Sequence, residues 1–222
     1  MKERPILFSG PMVRALLAGT KTQTRRVLKQ ATGPSLSVGI DDDAPGVAEL
    51  SWLYGDGPGH DVDEQIKRVA CPHGQPGDRL WVRETFAKVI GQSGGWIETD
   101  YFATYTHGDR LGDTLGIKKR WTPSIHMPRA ASRILLEIAG VRVERLQDIS
   151  EADARAEGLI PARGPLGSQM WEYSEKTGGQ FSDPRVAFHM LWESINGPGS
   201  WQTNPWVWVI DFKRIEQPQT AH

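Results

Sequence analysis

Apolar residues in this chain recur mostly at every second position, in short runs cut off by glycine and proline. That pattern sets the fold class, because a two-residue period places one side of a strand in a core. Pro5-Ile6-Leu7-Phe8 reads as a first strand, followed by Thr24 to Leu28 and Ile66 to Ala70. Arg79 to Phe86 alternates Leu80, Val82 and Phe86 against Arg79, Trp81, Arg83 and Thr85, after a turn at Gly77-Asp78. Ile97 to Thr106 places Tyr101, Ala103 and Tyr105 on one face, and Ser132 to Gln147 is a long run in which Gly140 predicts a bulge or bend. Trp206 to Phe212 closes the series. Helical segments are few. Ser9 is placed to cap a helix to about Ala18, with Pro11 in its first turn and Gly19 as its stop. Ser150 caps a short helix ending near Gly158, and Asp183 caps one from Pro184 to about Ile195.

These strands are too few and too unevenly spaced for a doubly wound sheet, and no repeat period is present. They predict an α+β fold, a small mixed β-barrel with helices packed outside. The 222 residues suit a single domain over 1–222. Segments 31–64 and 161–182 are rich in glycine, proline and serine, and read as two long loop insertions with little regular structure. Residues 107–128 read as an irregular basic loop, and the tail after Glu216 as loose.

A hydrophobic fraction of 38% argues against disorder, and no run approaches the roughly 20 apolar residues of a membrane helix. Met1-Lys2-Glu3-Arg4-Pro5 lacks the apolar run of a signal peptide, and a lone Cys71 fits a reducing cytoplasm. The net charge of −1 hides an asymmetry. Residues 1–30 are strongly basic, 31–64 carry acids with no lysine or arginine, and Lys118, Lys119, Arg120, Arg129 and Arg133 form a second basic run. A positive groove is compatible with that total.

The densest chemistry lies in Gly19-Thr20-Lys21-Thr22-Gln23-Thr24-Arg25-Arg26, where a helix should turn into a strand. A lysine, nearby hydroxyls and two arginines suit an anionic ligand, and a lysine beside a threonine can activate a nucleophile. Glu84 shares the face of Leu80 and Val82, where a carboxylate needs a partner or a role. Trp81, Tyr101 and Trp121 are candidates to stack a base. Cys71-x-His73 could open a zinc site with His60, His107 or His126, but the spacing lacks a four-ligand pattern, and no metal or cofactor is expected. Neither a Gly-rich phosphate loop nor a Ser-His-Asp spacing is present.

Three stretches together carry a resemblance. Gly19-x-Lys21-x-x-x-x-Arg26, Gly77-Asp78-Arg79-Leu80-Trp81-Val82-Arg83-Glu84 and Asn204-Pro205-Trp206-Val207-Trp208-Val209-Ile210-Asp211-Phe212 resemble the ASCH domain family of the PUA-like superfamily. Cys71-Pro72-His73-Gly74 ahead of the second stretch is similar to the longer ASCH proteins of phages and prophages. The resemblance implies a β-barrel with a cleft beside the helix-to-strand turn, handling RNA or nucleosides. Small bacterial members are amidohydrolases that release acetyl from N4-acetylcytidine, and another member is a metal-dependent ribonuclease. Their catalytic lysine, threonine and glutamate fall on Lys21, Thr24 and Glu84. The candidate ligand-binding residues are Gly19, Arg25, Arg26, Trp81, Arg83, Tyr101 and Trp121. The expected partner is therefore a modified nucleoside or single-stranded RNA. For the chemistry, burial of Lys21 would lower its pKa and a close Glu84 would raise it, so base and electrostatic clamp both stay open as its role.

Overall fold

The structure is a computed structural model that describes residues 1–33, 36–41, 43–54, 63–91, 93–174 and 179–216. The first part of the chain forms β1 (Glu3–Leu7), α1 (Gly10–Leu17), β2 (Gln23–Val27), β3 (Leu36–Ile40), β4 (Val47–Tyr54) and β5 (Asp63–Ala70). The middle forms β6 (Arg79–Arg83), β7 (Phe86–Ile90), β8 (Trp96–Tyr101), α2 (Leu111–Thr114) and β9 (Leu135–Arg145). The last part forms α3 (Glu151–Ala156), β10 (Ile160–Arg163), β11 (Gln169–Glu172), β12 (Gln180–Phe181), α4 (Pro184–Asn196) and β13 (Trp206–Ile215). The fold is mixed α+β, mostly strands with few helices.

The principal sheet has the order β1-β6-β9-β13-β2. Only β1 and β6 run parallel in it. β1 and β2 are its two edges, and among the described residues no ladder joins them. The near-continuous apolar run of β13 is explained by its place between β9 and β2, since a central strand covered on both faces has no wet side. Val207 and Val209 pack with Leu146, Ala154, Ala187 and Trp192 under α3 and α4. Trp208, Ile210 and Phe212 face the other way, onto Ile6, Val13, Leu16 and Leu136. The bend expected at Gly140 is present: the β9–β13 register slips between Asp211 and Phe212, opposite Gly140 and Ile138. The expected caps also form. The Ser150 side chain accepts from the Asp153 amide and Asp183 from the Arg185 amide, whereas Ser9 stands at the N-cap of α1 without a side-chain cap bond.

Four segments depart from the sequence reading. Residues 31–64 are not a structureless loop: β3, β4 and the start of β5 form an antiparallel sheet there. Leu36, Val38 and Ile40 alternate with exposed Ser37 and Gly39, and Ala48 and Leu50 are fully buried, so a short two-residue period was hidden under the glycine and aspartate content. Residues 161–182 likewise supply most of the β10-β11-β12 sheet, whose Trp171 and Phe181 cover the core beneath α4. The run Arg79 to Phe86 is two strands, because the chain leaves the principal sheet at Glu84 and Thr85; there the Thr85 carbonyl accepts from Phe102 N. The strand expected to Thr106 stops at Tyr101 and winds into a single turn over Phe102–Thr104, where the Ala103 carbonyl accepts from Arg14. His60 and the tail from residue 217 lie outside the described residues.

Candidate functional site

The turn between α1 and β2 is built as its sequence predicts. Gly19 adopts φ +77°, and the amides of Thr20 and Lys21 both donate to the Ala15 carbonyl, at 3.0 and 3.2 Å. This folds the Lys21 side chain inward beneath Gly158. A Cβ on Gly158 would lie 2.9 Å from Lys21 Cβ, and its φ of +92° also favours glycine. Lys21 Nζ is fully enclosed and donates to Gln23 O (2.9 Å), Glu157 O (2.7 Å) and Glu157 Oε2 (2.8 Å). Its carboxylate partner is therefore Glu157. Burial pushes the Lys21 pKa below its ordinary value, and Glu157 opposes that shift. Thr24, paired with Ile210 in β13, is fully buried, and its Oγ1 has no hydrogen-bond partner among the described residues.

Glu84, just beyond β6, is 2% exposed. Its carboxylate accepts a two-pronged contact from Arg133, Nε at 2.9 Å and Nη2 at 3.0 Å, and that guanidinium lies 4.0 Å over the Tyr101 ring. The sequence motif thus separates into two buried pairs: Lys21 with Glu157, and Glu84 with Arg133.

Arg25 is also buried. Its Nη2 reaches Glu144 (3.0 Å) and Asp153 (3.4 Å), its Nη1 reaches Glu157 (3.5 Å), and a further bond runs to Gln23 Oε1. Three carboxylates already surround that charge. Arg26 differs. Its Nη1 and Nη2 donate to the carbonyls of Arg25 (3.2 Å) and Leu7 (3.0 Å), and its guanidinium lies 5.5 Å from the Phe8 ring. Arg83 lies 5.4 Å over Trp81 and donates to the Ile125 carbonyl. Tyr101 donates to Ala131 O at 2.9 Å, and Trp121 packs edge-on against Phe102 and Tyr105.

Two clefts flank α1. One, of about 520 Å³, lies at the ends of β1 and β6 and exposes Ser9, Arg26, His73, Thr85, Ser124 and Asn196. The other, of about 450 Å³, runs between α1, β10 and α4 and is mainly apolar, with Glu157 and Thr20 in its wall. Both sizes fall within the roughly 300–1,000 Å³ of small-molecule sites. Neither is lined by Lys21, Thr24 or Glu84, although Thr85 and Arg26 lie in the first and Glu157 in the second. The first has the better polar equipment for recognition.

His73 enters this wall from the turn after Cys71. Its imidazole has no hydrogen-bond partner among the described residues, and burial together with Arg26 and Arg4 lowers its pKa to about 4. Burial also raises the Cys71 thiol. Among the described residues no group of three or more His, Cys, Asp or Glu side chains is placed to hold a metal ion. No helix of the described residues is long and apolar enough to cross a membrane.

Comparison with protein-family models, curated proteins and solved structures finds no match. The partnerships of Glu157 and Arg133 and the cleft position of His73 were not found by sequence reasoning. A fully buried lysine demands a carboxylate, but which acid supplies it depends on a contact spanning 136 residues.

Proposed function

We propose that this chain is a nucleoside-directed protein of the ASCH type, and that the cleft bearing Arg26 takes a modified cytidine such as N4-acetylcytidine. The carrying observation is the cleft itself: a nucleoside-sized space at the ends of β1 and β6 beside the start of α1, with hydroxyl, amide, imidazole and guanidinium groups around an otherwise apolar wall. The apolar part suits a base face, and the polar groups suit its edge and sugar. Engagement of Arg25 by three carboxylates favours this compact site over an open basic trough for a polymer. The PUA-like barrel belongs to the same reading. Its support is the bond from Arg26 Nη2 to Leu7 O, which links edge strand β2 to edge strand β1. The single buried cysteine supports a cytoplasmic setting.

A second reading adds turnover: hydrolysis of the N4-acetyl amide with Thr24 as nucleophile, Lys21 as its proton acceptor and Glu84 as an electrostatic partner. It is favoured by a specific observation, a buried threonine hydroxyl with no partner, three residues from a lysine whose pKa is lowered by burial. Lys21 is held by three acceptors and Glu84 by Arg133, so this chemistry requires those pairs to open. Calorimetric titration with cytidine and N4-acetylcytidine tests recognition, and chromatography of the incubated nucleoside tests hydrolysis. Binding of neither nucleoside would refute the first reading. Absence of cytidine release by the wild type, with binding intact, would refute the second.

A further inference from the structure

Arg26 is the one lining residue of its cleft that carries a fixed charge, and no lining residue is acidic. Its guanidinium bonds only carbonyl oxygens and forms no ion pair among the described residues. The neighbouring Arg4 shows the contrast, since Asp78 neutralises it at 3.0 Å. Burial lowers the Arg26 pKa and the charge of Glu157 opposes that only in part, so the cost of this partly buried cation is offset further when an anion occupies the space it faces. His73 lies in the same wall, with no hydrogen bond to its ring nitrogens among the described residues. Ser9, whose hydroxyl caps nothing in α1, lines the same space with Thr85 and Ser124. Hydroxyl and ring N–H donors beside a guanidinium are the groups that hold phosphate oxygens.

We infer that the Arg26–His73 wall of this cleft is a phosphate subsite, so that the ligand is a phosphorylated nucleoside rather than the bare nucleoside. This rests on the nucleoside reading above for the identity of the base, and on the cleft alone for the phosphate. Burial, Arg26 and Arg4 all oppose protonation of the imidazole. The other ionisable groups at this turn are Asp78, already paired with Arg4, and the thiol of Cys71. An anion beside Arg26 reverses the electrostatic part of that opposition, so binding favours a proton on His73.

The test compares cytidine, cytidine 5′-monophosphate and the dinucleotide CpA by calorimetry on the full chain, with inorganic sulfate as an anion of fixed charge. The monophosphate is expected to bind at least tenfold more tightly than cytidine. His73→Gln, which breaks no side-chain hydrogen bond among the described residues, should reduce that preference to less than threefold. Sulfate should compete with the monophosphate and raise the pH at which the His73 ring protons titrate by NMR, a readout that a merely structural histidine would not give. Tighter binding of CpA than of the monophosphate would support the subsite and identify a strand phosphate as its source; the reverse order would support it and identify a free nucleotide. Equal binding of cytidine and both phosphates would overturn the subsite and leave the nucleoside reading standing. Equal binding of adenosine and cytidine monophosphates, without binding of cytidine, would support the subsite and remove the choice of base.

Discussion

Replacing Glu157 with glutamine isolates the energetics of the buried turn. Glu157→Gln keeps the shape of the side chain and removes the one carboxylate, among the described residues, in contact with Lys21 Nζ, which has no solvent exposure. Arg25 loses one of its three carboxylates and keeps Glu144 and Asp153, and Arg26 loses only a charge it does not contact, so the cost falls mainly on Lys21. Breaking one side of a buried ion pair costs about 3–5 kcal/mol, because the remaining charge stays desolvated. A chain of this size loses about 2–4 °C of melting temperature per kcal/mol, which gives a fall of about 6–20 °C. Urea denaturation at pH 7 and pH 9.5 measures it. The sign of the pH effect follows from the direction of the Lys21 shift. Its folded pKa lies below its unfolded value and falls further without Glu157, so between the two values the unfolded chain binds more protons. Stability of the variant should therefore rise with pH across that window. Lys21→Met combined with Glu157→Gln should cost less than Glu157→Gln alone. A single variant within about 1 kcal/mol of wild type, or one losing stability as pH rises, would refute the buried-pair argument.

Thr24→Val removes a buried hydroxyl without a partner and keeps a β-branched strand residue, so stability should rise by about 1–2 kcal/mol by urea titration; destabilisation would show that the hydroxyl is satisfied. The same substitution should abolish any acetyl release seen by chromatography. Gly158→Ala should destabilise by about 1–3 kcal/mol in thermal melts, since the new methyl meets Lys21 and Ala15 at 2.9 and 3.0 Å on a left-handed backbone; a neutral result would show that α3 and α1 separate readily. The Lys2 amide, with Arg4, holds the Asp78 carboxyl below its ordinary value. Its stabilisation is present above the unfolded pKa and lost as pH falls through the depressed folded one, so Asp78→Asn should flatten the acid limb of a stability–pH profile.

Local chemistry was legible in the sequence, and long-range partnership was not. The Gly19 stop, the Ser150 and Asp183 caps, the irregularity at Gly140 and the buried run of β13 each follow from residues within a few positions of one another. The β3–β4 hairpin was missed because Gly39 and the aspartates diluted a valid two-residue period. Glu84 was rightly expected to need a partner, yet Arg133 is 49 residues away and nothing local selects it over other basic residues. The same holds for Glu157, which in sequence is only the residue before a helix-ending glycine.

The position of β13 between β9 and β2 has a consequence for biosynthesis. β2 finds its ladder partner across a separation of up to 188 residues, so it emerges from the ribosome long before the strand that satisfies its backbone. At about 5–20 residues per second that interval is on the order of ten seconds or more. Closure of the β2–β13 edge of the sheet is therefore a late step, with loop closure setting its pace.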